Sequence, residues 1–185
     1  MEYLSRHLYS CSSWISVLAA TLLYGLFISQ VMAPHAIEMR GFAGDWGAPD
    51  GHLFYTPTEL YGHISAWTAP GREHYVHFRL GLDPLWALTY TAFLVTLSSV
   101  ALRRGTADGD PRRLLNLVPL IPLAADLLEN GLGIILVSSL PTHLDWLAAL
   151  MGAVSFTKWI SLAIAHLVLV YALVLAGRNI ARRGG

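Results

Sequence analysis

Asp126, Glu129 and Asn130 stand at i, i+3 and i+4 in the stretch LVPLIPLAADLLENGLGIILVSSL, otherwise apolar enough to lie in a bilayer. On a helix that spacing places the three side chains on one face, so they form a single polar patch. A patch of that kind inside hydrocarbon needs partners. Lys158, the one lysine among 185 residues, lies inside a second long apolar stretch, WLAALMGAVSFTKWISLAIAHLVLVYALVLAG. At about 1.5 Å per residue, Asp126 and Lys158 each lie about 20 Å from the short turn that joins their two helices, so the two side chains should meet at similar depth. A Lys158 ion pair with Asp126 or Glu129 is the economical expectation.

One cation does not balance two acids. The surplus carboxyl must be protonated, hydrogen-bonded to Asn130 or a hydroxyl, or reached by water. A carboxyl kept neutral near physiological pH is a candidate general acid, which points to proton transfer and not to nucleophilic or metal chemistry. Asp126, Glu129 and Lys158 are therefore the candidate catalytic residues, and Asn130, Trp159, Ser161, Tyr90 and Asp83 the candidate ligand-binding ones. Each has a plainer reading: Trp159 as packing or a cation–π surface, Ser155 and Ser161 as hydroxyls bonded back to their own helix, Tyr24 and Tyr90 as mid-span hydroxyls paired with backbone. The acid–lysine contact itself has one too, since polar contacts between membrane helices sometimes do no more than fix their pairing.

Other chemistries gain little. His74 and His77 stand at i, i+3, but a zinc site wants at least three protein ligands, so no metal is expected and no cofactor is implied. Cys11 stands alone, which excludes an internal disulfide and leaves an interfacial thiol open to acylation. HExxH, P-loop, GxSxG and dinucleotide fingerprints are missing.

The elements that must position these residues are membrane helices. The chain is 55% hydrophobic and 13% charged, against about 25% charged residues in an ordinary soluble domain. Four segments are long enough to cross hydrocarbon, giving spans at about 12–34, 83–103, 114–139 and 144–177 in one membrane domain covering 1–185. The expected fold class is all-α, an integral membrane four-helix bundle with an extracytoplasmic loop over 35–82 that contains a short amphipathic helix. The first span is too long for the apolar core of a signal peptide and reads as a retained anchor. Arg6, Arg103, Arg104, Arg112, Arg113, Arg178, Arg182 and Arg183 cluster at one end, which predicts a multi-pass protein of the cell (cytoplasmic, inner) membrane with both termini cytoplasmic. Trp14, Trp86 and Trp146 fall at span ends, where indoles bridge lipid and water. A net charge of zero gives a nucleic-acid partner no electrostatic support. The expected partners are membrane lipids, a lipophilic ligand, and a homo-oligomer or larger membrane complex.

Local signals place the remaining pieces. Gly41, Gly44, Gly47 and Gly51 suggest a flexible loop. Thr56-Pro57-Thr58-Glu59 reads as a capping box opening a helix whose Leu60, Ile64 and Trp67 form an apolar stripe, suited to the membrane surface or to lidding the bundle. Pro70-Gly71 should end it, and a second piece over 72–78 should lead to Asp83-Pro84 as the cap and first residue of the second span. Pro119 and Pro122 predict a kink just before Asp126. Thr142 and Asp145 suggest a capping box for the last span.

GREHY at 71–75, DPLWALTY at 83–90, LVPLIPLAADLLEN at 117–130 and FTKW at 156–159 together resemble a pattern of small bacterial four-helix membrane proteins without an assigned activity. More weakly, the chain resembles the sterol-isomerase-like fold of the emopamil-binding protein group, on Arg72, Tyr75 and Asp83. That resemblance implies buried acids around a lipophilic pocket. The histidine-and-acid pair expected on its second helix has no counterpart between Leu85 and Leu102. The expectation is thus a membrane-buried acid and lysine cluster that binds or converts a lipid- or isoprenoid-like molecule by acid–base chemistry under an outer lid. The alternative is an accessory subunit in which the Asp126–Lys158 contact only fixes packing. A cavity opening on the acids would favour the first, and Lys158 filling the space the second.

Overall fold

The computed structural model describes residues 1–183, and the side chain of Arg183 lies outside the described residues. The order is α1 (Glu2–Cys11), α2 (Trp14–Phe27), a π-helical turn (Ile28–Met32), α3 (Ala33–Ala43), α4 (Pro57–Ile64), α5 (Ala69–Leu80), α6 (Leu82–Gly105), a 3-10 segment (Pro111–Leu117), α7 (Leu120–Ser138) and α8 (Asp145–Arg183). The fold is all-α, and four stretches are long and apolar enough to cross a membrane: Trp14–Trp46, Leu82–Gly105, Pro111–Ser138 and Asp145–Arg182. Large apolar side chains such as Leu18, Leu22, Leu88, Leu167 and Val170 are exposed, which suits lipid-facing surfaces.

The first helical rod runs past the boundary expected near residue 34. Pro34 cannot donate to the preceding turn, and the π turn absorbs the mismatch, with the Ala33 amide donating to the Ile28 carbonyl. Helix therefore continues through Gly41 to Ala43, and the expected glycine loop begins only at Gly44, whose φ of 65° ends α3. In the third span the break lies earlier than expected. The 3-10 segment ends at Leu117 and Pro119 caps α7, so Pro122 falls in a first turn whose amides have no intrahelical partner to lose. Helix is regular through Asp126.

Between Ala43 and Leu82 the chain folds over one end of the bundle. The Thr56 capping box forms: Glu59 N donates to Thr56 Oγ1 at 3.3 Å and Thr56 N to Glu59 Oε2 at 2.8 Å. That backbone bond from Thr56, then the Thr56 hydroxyl, holds the Glu59 carboxyl below its ordinary range. Leu60, Ile64 and Trp67 are buried in one core with Tyr75, Leu132, Leu136 and Met151, so α4 is a cap on α7 and α8 and not a helix lying on the membrane surface. Pro70-Gly71 opens α5 and does not close α4, and Thr68 caps the new helix. Nor does Asp83 cap the second span: α6 already begins at Leu82. At the start of α8 the expected box gives way to a tertiary contact, as the Leu144 amide donates to the Tyr61 hydroxyl at 2.6 Å.

At the opposite, arginine-rich end, α1 is anchored by a buried amide. Ser5 donates to Asn116 Oδ1 at 2.7 Å, and Asn116 Nδ2 donates to Ser99 Oγ at 3.2 Å. Trp14 lies beneath Arg104, whose guanidinium is 4.6 Å from its ring centre. Trp86, near the start of α6, stacks at 5.3 Å on Tyr24 of α2.

Candidate functional site

Helices α7 and α8 run antiparallel and bring the expected residues together. Lys158 Nζ contacts the Glu129 carboxylate directly and lies 3.7 Å from Asp126. Tyr90 on α6 donates to Asp126 Oδ2 at 3.1 Å. Glu129 is fully buried, and Asp126, Asn130 and Lys158 are nearly so.

The site is larger than its sequence signature. Arg79, near the end of α5, is buried and joins three segments: it contacts Asp50, reaches Asp83 one turn on at 2.8 Å, and donates to Asn130 Oδ1 on α7 at 2.6 Å. Asp50, in the short turn Pro49–Gly51, also receives Lys158 Nζ on its backbone carbonyl at 3.3 Å and Trp159 Nε1 on the same oxygen at 3.1 Å. The segment between Ala43 and Leu82 thus completes the ion network. Burial alone would raise the Asp50 carboxyl, but Arg79 and then Lys158 outweigh it and hold the carboxyl below its ordinary range.

Two glycines permit this approach. A Cβ on Gly152 would strike the Tyr55 carbonyl, and one on Gly133 would strike the Tyr75 hydroxyl. Tyr75 in turn lies beneath Arg79, 4.9 Å from ring centre to guanidinium. Burial pushes the Tyr55 and Tyr75 phenols above their ordinary range, so both remain protonated donors.

Two cations, Arg79 and Lys158, therefore face four carboxyls, Asp50, Asp83, Asp126 and Glu129. Several buried polar atoms here have no hydrogen-bond partner among the described residues: the Tyr55 and Tyr75 hydroxyls, Arg79 Nε, Glu129 Oε1 and Asn130 Nδ2. Buried polar groups are seldom left so. The network thus has fewer cations than carboxyls and polar atoms whose hydrogen-bonding capacity is unused. Asp126 is the looser carboxyl, sharing a tyrosine donor and a more distant ammonium, while Glu129 is held tightly by Lys158.

The remaining expected residues distribute unevenly. Asp83 enters the network through Arg79. Trp159 is 37% exposed beside Lys158, with the ammonium 5.3 Å from its ring centre. Ser161 bonds back to the Lys158 carbonyl at 3.1 Å and takes no part. Ser155 does not bond to its own helix, since it donates to the His52 carbonyl at 2.8 Å and ties α8 to the segment between Ala43 and Leu82. His74 meets His35 at 3.1 Å and Glu38 at 3.5 Å, away from a partnership with His77. His166 bonds to the Leu162 carbonyl of its own helix.

Sequence reasoning missed Arg79, Asp50 and Tyr55, and named Tyr75 only as part of a resemblance. Arg79 had one visible signal, an i, i+4 spacing to Asp83. Asp50 had none, because its partners are far along the chain. Cavities of about 470 Å³ and 550 Å³ open at the arginine-rich and capped ends respectively, and neither is lined by a member of the network. Comparison with protein-family models, with curated proteins and with solved structures finds no match to this chain.

Proposed function

We propose that the buried network of this multi-pass membrane protein is a proton-holding site that binds or converts a lipid- or isoprenoid-like molecule by acid–base chemistry, in a cell membrane with both termini cytoplasmic. The observation that carries this reading is the excess of two carboxyls over cations, with three of the four carboxyls, Asp83, Asp126 and Glu129, buried. Such a set is most stable with protons on some of its acids, and a buried neutral carboxyl is a general acid in waiting. Asp126 is the donor in this reading, poised by Tyr90. Lys158 and Glu129 set the local charge, and Asn130 is the polar anchor. Trp159, half-exposed beside Lys158, is the wall past which a lipophilic molecule reaches the acids from the bilayer.

Native mass spectrometry with lipid analysis tests it, on wild type beside Glu129→Gln and Lys158→Met. A specific lipophilic molecule retained by wild type and lost from folded variants is the expected result. Protein without any bound molecule, and variants that merely melt earlier, would overturn it.

A second reading is favoured by two observations: the cavities of about 470 Å³ and 550 Å³ open away from the acids, and Arg79 sits between segments. Its contacts with Asp50, Asp83 and Asn130 join the outer segment to α6 and α7, as a clamp on the cap would. In that case the protein is an accessory membrane subunit and the network fixes its packing.

A further inference from the structure

The arginine-rich end holds a second polar site, independent of the buried acids. Helix α1 packs against the end of α6 and the 3-10 segment, and between them lies the cavity of about 470 Å³, lined in part by Arg6, Tyr9, Arg103, Arg113 and Leu114. Arg103 and Arg113 approach the same aromatic ring, with guanidinium carbons 5.6 Å and 5.8 Å from the centre of Tyr9. Two like charges are held at one wall.

The acids nearby are already engaged. Glu2 lines the cavity but pairs with Arg6 at 2.9 Å. Asp110 also lines it, and Arg112 clamps it from outside the cavity through Nε at 2.9 Å and Nη2 at 2.5 Å. Arg113 pairs at 2.6 Å with Asp108, which projects into solvent. Four arginines against three acids leave one positive charge. It belongs to Arg103, which has no carboxylate partner among the described residues and whose Nη2 donates to the carbonyls of Tyr9 and Ser12. A guanidinium carries five donors, so others remain for a ligand. Leu114, Pro111 and Tyr9 give the same cavity an apolar side. An unbalanced fork-shaped cation, a second arginine at the rim and an apolar wall, at the level where the spans end, match a phosphate group attached to lipid.

We propose that this cavity binds the phosphate of an acidic phospholipid headgroup, with Arg103 and Arg6 taking the phosphate oxygens and Leu114 facing the glycerol and upper acyl region. Native mass spectrometry of the detergent-solubilised full chain tests it, titrating phosphatidylglycerol against phosphatidylcholine. Phosphatidylglycerol is expected to bind at one site and in preference.

Arg103→Gln should weaken that binding roughly fivefold, the worth of one basic residue near an anionic lipid. Because Arg103 also holds the end of α1, Leu114→Glu is the second variant. It places a carboxylate at the rim without touching any of these bonds, and should lower affinity by at least about as much. Arg178→Gln removes an equal charge at the same end but outside this cavity, and should leave binding unchanged.

Equal binding of the two lipids, or equal losses in Arg103→Gln and Arg178→Gln, would overturn the proposal. Glycerol phosphate separates the sources. Failure to displace the lipid supports a headgroup site that needs the lipid body. Full displacement at equal concentration would overturn the lipid assignment in favour of a soluble phosphate ester.

Discussion

Arg79 and Asn130 stand 51 positions apart, yet the guanidinium of one donates to the side-chain carbonyl of the other at 2.6 Å in the buried interior. That bond joins α5, a helix of the capping segment, to the helix carrying Asp126 and Glu129. It makes the cap and the acid cluster one structure.

Replacing Arg79 by methionine leaves Asp50 and Asp83 without their buried counter-charge. Removing one partner of a buried ion pair typically costs about 3–5 kcal/mol. Arg79→Met should therefore lower the melting temperature in detergent far more than Arg72→Met, which removes an arginine of the same helix that makes none of these bonds. Equal shifts in the two variants would show that the outer segment does not depend on the network.

The two acids of α7 should respond differently. Asp126→Asn mimics the protonated carboxyl, keeps an acceptor for Tyr90 and removes a charge from the overloaded side, so it should cost less than about 1 kcal/mol. Glu129→Gln takes away the carboxylate in direct contact with Lys158 and should cost roughly 2–4 kcal/mol. Much of that loss should return in Glu129→Gln/Lys158→Met, because the stranded ammonium is then gone. A double-mutant cycle on thermal stability checks this, and additive single effects would contradict the direct pair.

Much of this arrangement was legible before any coordinates. The i, i+3, i+4 spacing of Asp126, Glu129 and Asn130 and the isolation of Lys158 in an apolar run were enough to pair them, because depth along two antiparallel helices is fixed by rise per residue. The same reasoning saw nothing of Asp50, whose role depends on a turn folding back against α8. Asp83, a candidate site residue, was also read as a helix cap for a local reason: Asp-Pro is a good helix opening, and it drew attention from the i, i+4 spacing to Arg79. The first span was drawn too short, ending at about 34, since a π turn lets the helix run on through Pro34 to Ala43. Long-range contacts and helix irregularities leave no period in the sequence to read.

Gly152 offers a steric test of the outer segment's seat. A methyl there strikes the Tyr55 backbone carbonyl, which is not the far end of a flexible side chain. Gly152→Ala should cost about 1–3 kcal/mol despite alanine's better helix propensity. Gly131→Ala on α7 meets nothing within 4 Å and should be neutral or gain up to about 1 kcal/mol. Thermal denaturation in the same detergent compares them directly, and a stabilising Gly152→Ala would mean that the cap does not pack this closely.

The Asp50–Arg79 contact has a pH signature whose sign follows from the charge balance. Arg79 and Lys158 hold the Asp50 carboxyl below its ordinary range in the folded protein. In the unfolded chain it titrates near the usual value of about 4. A group with a depressed folded pKa adds stability that is fully present above the unfolded value and is lost as pH falls through the folded one. Melting temperature should therefore decline below about pH 4 through this group, and Asp50→Asn should flatten that decline while lowering the plateau at neutral pH. Asp110 is held at about 2 by the Arg112 side-chain bonds, and titrates in the same direction at the other end of the molecule. It lines a solvent-open cavity and is held by one arginine, outside the buried cluster, so Asp110→Asn should change the acid limb less than Asp50→Asn does. An unchanged acid limb in Asp50→Asn would place the pH sensitivity elsewhere and remove Asp50 from the network's charge balance.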